Sequence, residues 1–277
     1  MKMHARILVG FLAISFLSIV CMQVWSARKK PEKPENIVVL KDVAYVPGSL
    51  NPFQFLDLYL PSLPSPSAAV AKSAGEIAPL VSPSSPSASL SSKLHPVIVW
   101  IHGGAWMAGD KNHPPAVDYL IAKGYAVASL NYRLTDRAQH PAQINDCKAA
   151  IRFLRAHATE YGLDPNRIGV WGHSAGGHLV ALLGTSGDVK ELEGELGNNN
   201  FSSRVQAVVD WCGPTNLLSI ASQAGPKNQI DFKSPTNPVA VWRGAGVSPA
   251  AYLTASPIQY VSADDPPMMI VHAEDDD

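Results

Sequence analysis

The pentapeptide Gly172-His173-Ser174-Ala175-Gly176 sets a serine between two glycines, each two residues away. A Gly-x-Ser-x-Gly pattern suits a turn so tight that the residues two positions from the serine must lack side chains. Such a turn exposes the serine hydroxyl group and directs the following backbone N–H toward a developing oxyanion. The pattern therefore predicts a nucleophilic serine, Ser174, provided that a strand precedes it and a helix follows.

Both flanking elements are predicted from the sequence. Ile168 to Trp171 has the composition of a buried strand, and Gly177 to Leu183 has that of an apolar helix. Two alternatives are a plain glycine-rich connection and a loop that cradles phosphate. No lysine follows the glycines, and the spacing of dinucleotide-binding loops is missing, so a nucleophile is the preferred interpretation.

A second glycine-rich loop, His102-Gly103-Gly104-Ala105-Trp106, follows a strand predicted from Val97 to Ile101. With this loop the sequence resembles the α/β-hydrolase superfamily, in particular the His-Gly-Gly-x-Trp esterases and lipases related to hormone-sensitive lipase and bacterial carboxylesterases. The segments Asn131-Tyr132-Arg133-Leu134 and Asp164-Pro165-Asn166-Arg167 are also similar to this family. The resemblance extends from about Leu56 to Asp277, with one Ser/Pro-rich stretch as a departure.

The resemblance implies which backbone groups form an oxyanion hole. In that family the His-Gly-Gly loop donates N–H groups to the oxyanion, which here points to Gly103, Gly104 and Ala105. The N–H of Ala175, directly after the serine, completes the set. Trp106 is a candidate for substrate contact, with a place in the core as the alternative.

The resemblance also implies an acid and then a histidine after the serine. The segment Asp265 to His272 is similar to the family's penultimate strand, after which a His-Gly-x-x-Asp pattern puts the catalytic acid at Asp276. Ala273 stands in place of the glycine and other acids surround Asp276, so the register could shift by one residue. A solvated acidic tail is the alternative.

The histidine of the family lies well beyond the acid, whereas this chain ends at Asp277. We therefore expect a C-terminally truncated form that lacks the catalytic histidine, the last strand and a covering helix. Its activity would be impaired, because a serine hydroxyl is a poor nucleophile without an adjacent base. Apolar surface would be exposed where the missing elements pack.

The other histidines and one charged pair receive structural predictions. His102 is expected to shape the oxyanion loop by hydrogen bonding, and His173 to play a structural role within the turn. His178 is expected to pack against or cap its helix. Arg133 and Asp146 are candidates for substrate contact, with a buried salt bridge as the preferred interpretation.

The pattern of apolar segments predicts the elements that position these residues. Residues 36–46 and 55–60 predict an antiparallel hairpin at a sheet edge, and strands then alternate with helices. Strands are predicted at 97–101, 125–130, 167–171, 205–211 and 268–272, helices at 115–123, 141–161 and 175–185, and a loop at 213–250. The predicted fold class is α/β: an α/β-hydrolase fold with a mainly parallel sheet and helices on both faces.

The N-terminal residues predict a targeting signal. Two basic residues precede the apolar run Ile7 to Val20, and small residues then favour cleavage after Ser26. We expect residues 1–26 to be a signal peptide and the protein to be secreted or periplasmic. An uncleaved anchor at residues 7–25 and a lipid on Cys21 are the alternatives.

Residues 27–277 are predicted to form one α/β-hydrolase domain with a disordered Ser/Pro-rich insertion at 61–96, a stretch that has almost no large apolar residues. Cys147 and Cys212 are expected to be small buried residues rather than a disulfide. The formal net charge is -1 and no basic stripe occurs, so nucleic acid is not an expected partner. No metal-ligand spacing stands out, and no cofactor is implied.

These features together predict a serine carboxylic-ester hydrolase that works through an acyl-enzyme. The resemblance suggests small-molecule or polysaccharide-linked esters with short acyl groups, including acetyl and feruloyl groups. Membrane contact is expected only through the N-terminal segment, if it stays uncleaved. Two alternatives remain open: a serine peptidase of the prolyl-oligopeptidase type and a non-catalytic binding protein with a hydrolase fold.

Overall fold

The computed structural model describes residues 37–61, 94–223, 230–232, 234–244 and 248–273. Three of the sequence predictions lie outside these residues: the signal peptide or anchor, the interior of the Ser/Pro-rich insertion (62–93), and the acid at Asp276. Within the described ranges, no helix is long and apolar enough to cross a membrane.

The described residues contain one sheet of seven strands. The strands are β1 (Ile37–Ala44), β2 (Phe55–Pro61), β3 (His95–Ile101), β4 (Ala126–Leu130), β5 (Leu163–His173), β6 (Ala207–Trp211) and β7 (Met268–Val271). Their order across the sheet is β1-β2-β4-β3-β5-β6-β7. Strands β4, β3, β5, β6 and β7 pair with one another in parallel. Strand β2 is antiparallel to both of its neighbours, β1 and β4. The predicted mainly parallel sheet and its edge hairpin are confirmed.

The ends of the predicted insertion belong to strands. Pro61 pairs with Ile37 in the edge hairpin, and β3 begins at His95. The boundaries 61 and 96 were therefore wrong, because strand pairing continues into residues whose composition resembles that of the insertion. Pro61 is the last residue of β2 and Pro96 the second residue of β3, and a missing N–H near a strand end removes little pairing.

Eight α-helices lie within the described ranges. They are α1 (Val117–Ala122), α2 (Ala142–Ala156), α3 (Ala158–Tyr161), α4 (Ala175–Thr185), α5 (Lys190–Glu193), α6 (Ile220–Gln223), α7 (Pro238–Arg243) and α8 (Pro249–Leu253). Two short 3-10 turns, Pro52–Gln54 and Pro257–Tyr260, accompany them. The helix predicted at 175–185 has the same bounds as α4.

Two boundary predictions are corrected by the structure. The predicted helix 141–161 is interrupted at His157, whose ψ of 16° separates α2 from α3, and Gly162 then ends α3 with a φ of 67°. The segment 213–250, predicted as a loop, contains α6, α7 and the start of α8. These helices are four to six residues long, too short for a clear apolar period in the sequence.

The core lies around the central strands and the two helices beside the serine. Every residue of β4 is buried, so both faces of the sheet are covered at its centre. Helices α2 and α4 pack against β5 and against each other. Helix α2 has four apolar residues at three- to four-residue spacing, and all are buried: Ile144, Cys147, Ile151 and Leu154. At the other side of the sheet, Met269 and Ile270 of β7 are each 60% exposed.

Candidate active site

Ser174 occupies a strained turn between β5 and α4. Its φ is 56° and its ψ is -120°, a conformation that costs a non-glycine residue about 1–3 kcal/mol and that persists only when the surroundings enforce it. A Cβ on Gly172 would overlap the carbonyl group of Gly176, and a Cβ on Gly176 would overlap that of Ile101. The strand, turn and helix predicted from the sequence are therefore confirmed, together with the reason for both glycines.

Two backbone hydrogen bonds hold Ser174 in this conformation. Its N–H donates to the carbonyl oxygen of Trp211, on the neighbouring strand β6, at 2.7 Å. Its carbonyl oxygen accepts from the N–H of His178 at 2.9 Å, which starts the hydrogen bonding of α4. Within the described residues, the Ser174 hydroxyl group has no hydrogen-bond partner, so the group is available to a substrate or a base.

The predicted oxyanion loop lies beside the serine. A Cβ on Gly103 would come within 3.3 Å of the Cβ of Ser174 and 2.7 Å of the His173 carbonyl oxygen. Gly104 (φ 108°) and Ala105 (φ 54°) then turn the chain sharply, and the Gly104 carbonyl oxygen accepts the N–H groups of the next turn. The loop therefore packs against the serine turn without room for a side chain at Gly103.

The backbone N–H groups predicted to form the oxyanion hole belong to two segments, the oxyanion loop and the start of α4. Across the described part of the chain, no protein acceptor bonds to the N–H groups of Gly104, Ala105 or Ala175. The N–H of Ala175 belongs to the first turn of α4, where the helix dipole favours negative charge. Free N–H groups next to a nucleophile are the usual means of stabilising a tetrahedral intermediate. The oxyanion-hole assignment of these residues stays a prediction.

A cavity of about 440 Å³ opens next to Ser174. Its wall combines apolar side chains with a few polar ones, as in small-molecule sites. The lining residues come from the oxyanion loop (Ala105, Trp106), the serine turn (Ser174, Ala175), the segment after β6 (Cys212, Gly213, Pro214, Thr215, Asn216), helices α6 and α7 (Ile220, Gln223, Pro238, Val239), two residues between those helices (Ile230, Phe232), and β7 with the residue after it (Ile270, His272). The segment 213–250, predicted only as a loop, thus supplies much of the wall.

His102 has the structural role predicted for it. Its Nδ1 lies 2.7 Å from the carbonyl oxygen of Gly103, and its ring stacks on that of Tyr132 with centroids 4.3 Å apart. Tyr132 in turn donates its hydroxyl hydrogen to the His102 carbonyl oxygen at 3.0 Å. Burial lowers the pKa of His102, which keeps the ring neutral.

Trp106 contacts the cavity from within the core. Its ring stacks on Trp242 with centroids 4.4 Å apart, and the edge of the His178 ring packs against both tryptophans. Nε2 of His178 lies 2.8 Å from the carbonyl oxygen of Ala255, and burial lowers the pKa of His178 to about 4. His178 is thus a packing residue, as predicted. Trp106 belongs to the core and lines the cavity, and its contact with a substrate stays a prediction.

Arg133 and Asp146 form a buried salt bridge rather than a substrate contact. Nε of Arg133 lies 2.8 Å from Oδ2 of Asp146, and the backbone N–H of Arg133 donates to the same oxygen at 2.8 Å. Gln54 donates a further hydrogen bond to this carboxylate. Neither charged residue lines the cavity beside Ser174.

The sequence interpretation missed Asp210, an acid buried at the end of β6 near the serine turn. Its Oδ1 accepts the N–H of Gly213 at 2.9 Å, and burial raises its pKa to about 6. One signal was available: Asp210 is a carboxylate inside an apolar strand, three residues before a Gly-Pro pair, and such a residue needs a hydrogen-bond partner when it is buried. Within the described residues, neither the buried Cys147 nor the half-buried Cys212 forms a disulfide.

Comparison with known proteins gives a consistent family assignment. The profile of the BD-FAE family matches residues 86–277. The chain is 32% identical over 188 residues to "Probable carboxylic ester hydrolase LipM" of Mycobacterium tuberculosis, covering 65% of this chain and 41% of that protein. It is 32% identical over 184 residues to "Esterase LipQ" of the same organism, covering 65% and 42%. The chain thus spans about two fifths of the length of these relatives.

Solved structures with the same fold include carbohydrate esterases. The "Truncated form of carbohydrate esterase from gut microbiota" aligns with a TM-score of 0.68 and 31% identity, over 88% of this chain and 79% of that one. The "Bifunctional GH43-CE" of Bacteroides eggerthii aligns with a TM-score of 0.67 and 32% identity, over 86% of this chain and 28% of that one. With this fold, the serine turn and the profile match over more than half of its length, the chain belongs to the BD-FAE family of α/β-hydrolases.

Proposed function

We propose that this protein is a serine carboxylic-ester hydrolase that acts through an acyl-enzyme. One observation carries the proposal: the strained Ser174 faces a cavity of about 440 Å³ and lies beside free N–H groups from two separate segments. Strain at one serine, matched to donors for a negative charge, suits acyl transfer. The names of the similar proteins, which are esterases and carbohydrate esterases, agree with this chemistry.

In the proposed reaction Oγ of Ser174 attacks the ester carbonyl carbon, and its proton passes to a general base. The N–H groups of Gly104, Ala105 and Ala175 hold the resulting oxyanion. Collapse of the intermediate breaks the bond to the alcohol, which leaves with a proton from the conjugate acid of the base. Water then repeats the attack on the acyl-enzyme and releases the carboxylic acid. The proposed base is a histidine that Asp276 orients. The family resemblance implies that this histidine follows the acid along the chain.

The proposed substrates are esters with short acyl groups, including acetyl or feruloyl groups on polysaccharides. The size and mixed lining of the cavity favour a compact acyl group. The similar carbohydrate esterases support the polysaccharide part of the proposal. Export from the cytoplasm would bring the enzyme to such substrates, and the basic residues followed by the apolar run Ile7 to Val20 support export.

A panel of chromogenic substrates tests the proposal. The purified chain and Ser174→Ala are assayed with p-nitrophenyl acetate, p-nitrophenyl ferulate and a proline p-nitroanilide. Imidazole is added as a diffusible base, because the described residues place no hydrogen-bonded histidine at the Ser174 hydroxyl group. We expect release from the esters that depends on Ser174, and none from the anilide. Serine-dependent cleavage of the anilide alone would favour a peptidase, and binding of esters without any cleavage would favour a non-catalytic protein.

A further inference from the structure

The carboxyl group of Asp210 is a buried charge that the reaction described above does not use. Its side chain is 0% exposed. Oδ1 accepts the N–H of Gly213 at 2.9 Å, whereas Oδ2 is buried without a hydrogen-bond partner among the described residues. A buried carboxylate with only one hydrogen-bonded oxygen lowers the stability of the fold, so its presence needs an explanation other than stability.

The hydrogen bond to Gly213 closes a sharp bend directly after β6. Cys212, inside the bend, has a φ of 53°, a left-handed conformation that is unfavourable for a residue with a side chain. A Cβ on Gly213 would overlap Oδ1 of Asp210, and a Cβ on Gly177 would overlap the same oxygen. The carboxyl group therefore lies between the bend and the first turn of α4, with room for only a hydrogen atom on either side.

This bend contacts the candidate active site in two places, at the backbone of Ser174 and at the wall of the cavity. The carbonyl group of Trp211, which follows Asp210, accepts the N–H of Ser174 at 2.7 Å. The residues after it, Cys212 to Asn216, form one wall of the cavity. A change in the bend would move both the support of the nucleophile and the wall beside it.

We propose that Asp210 is a positioning residue: by holding the bend after β6, it fixes the Trp211 carbonyl group that anchors the backbone of Ser174. The functional meaning of this inference rests on the proposed role of Ser174. The contacts themselves do not, because they can be measured without catalysis. Asp210 does not touch the reacting atoms, so its effect on chemistry would pass through Ser174.

Residue-resolved hydrogen–deuterium exchange of the full chain tests the inference. The variants are Asp210→Ala, which removes the acceptor, and Asp210→Asn, which keeps an oxygen at the same place. Asp264→Ala is the matched control, because Asp264 is an exposed carboxylate whose partner Arg204 is also on the surface. We expect Asp210→Ala to speed exchange of the Ser174 and Gly213 amides by roughly tenfold or more, with β3 and α2 unchanged. Asp210→Asn and Asp264→Ala should leave both amides protected.

Unchanged exchange at Ser174 in a folded Asp210→Ala variant would overturn the inference, and so would equal loss of protection in Asp210→Asn. Should Asp210→Ala fail to fold, the wild-type protein decides. If one bend holds both the Ser174 and the Gly213 amides, their protection factors should lie within about tenfold of each other. A Gly213 amide that exchanges far faster than the Ser174 amide would contradict the inference. Failure of the proposed function is a separate result. Esters would then remain uncleaved, while hydrogen exchange would still report whether Asp210 protects the Ser174 and Gly213 amides.

Discussion

The backbone N–H of Ser174 donates a 2.7 Å hydrogen bond to the carbonyl oxygen of Trp211, on the neighbouring strand β6. The proposed nucleophile is therefore held by an adjacent strand as well as by its own strand and helix. Because Ser174 has a φ of 56°, this bond helps to retain a conformation that the serine would leave if it were free. Changes at the end of β6 should consequently reach the serine without touching its side chain.

The glycine at position 176 should tolerate no side chain. In Gly176→Ala the new Cβ would overlap the carbonyl oxygen of Ile101, a clash with backbone that cannot rotate away. We expect a loss of about 3 kcal/mol or more in the free energy of unfolding, measured by urea denaturation. Gly124→Ala is the matched control: Gly124 has a φ of 84° but open space around it, so the loss should be about 1–2 kcal/mol. Equal losses would contradict the proposed packing of the turn.

Replacing Asp210 should change how stability depends on pH. Burial raises the pKa of Asp210 to about 6, above its value in the unfolded chain, so the folded protein binds this proton more tightly. The stability contributed by the proton is present below about pH 4 and is lost as the pH rises through about 6. Asp210→Asn has no proton to lose, so its free energy of unfolding relative to wild type should rise by about 2 kcal/mol between pH 4 and pH 8.

Urea denaturation of wild type and Asp210→Asn at several pH values measures this difference. Asp264→Asn serves as the control, since its carboxylate is on the surface, and its difference from wild type should not rise over the same interval. A difference between Asp210→Asn and wild type that falls with rising pH would mean that the Asp210 carboxylate is stabilised in the fold rather than penalised.

Trp106 should contribute to stability as well as to the cavity. Its side chain is 3% exposed and stacks on Trp242, whereas Trp211 is 37% exposed at the surface. We expect Trp106→Ala to lower the free energy of unfolding by about 3–5 kcal/mol and Trp211→Ala by clearly less. Thermal or urea unfolding of both variants provides the measurement. A Trp106→Ala variant as stable as Trp211→Ala would show that the stacked pair is not part of the core.

Local patterns in the sequence predicted the elements around the serine well. The need for Gly172 follows from the turn itself, because its Cβ would meet Gly176, a close neighbour along the chain. The pattern also predicted the bounds of α4 and the second glycine, Gly176, although the Cβ of Gly176 would meet Ile101 on the distant strand β3. The apolar face of α2 was equally clear from its period. The interruption at His157 was not, since neither glycine nor proline marks it.

The long-range partners of the site could not be predicted from local patterns. Trp242 stacks on Trp106 from far along the chain, and it lies in a segment predicted only as a loop. Asp210 looked like one polar residue in a strand until the structure placed Gly177 and Gly213 against its carboxyl group. Both contacts depend on how distant segments pack, which spacing along a single sequence does not encode. The roles of Ser174 and of the oxyanion-hole residues stay predictions, and Asp276 lies outside the described residues.

The most direct test of the account is whether Ser174 forms the covalent intermediate. The folded chain and Ser174→Ala are treated with a fluorophosphonate, with and without imidazole, and adducts are located by mass spectrometry of the intact protein and its peptides. We expect a single adduct on Ser174, formed faster with imidazole, and none on Ser174→Ala. An adduct that persists in Ser174→Ala, or no adduct on folded wild-type protein under either condition, would contradict the assignment of Ser174 as the nucleophile.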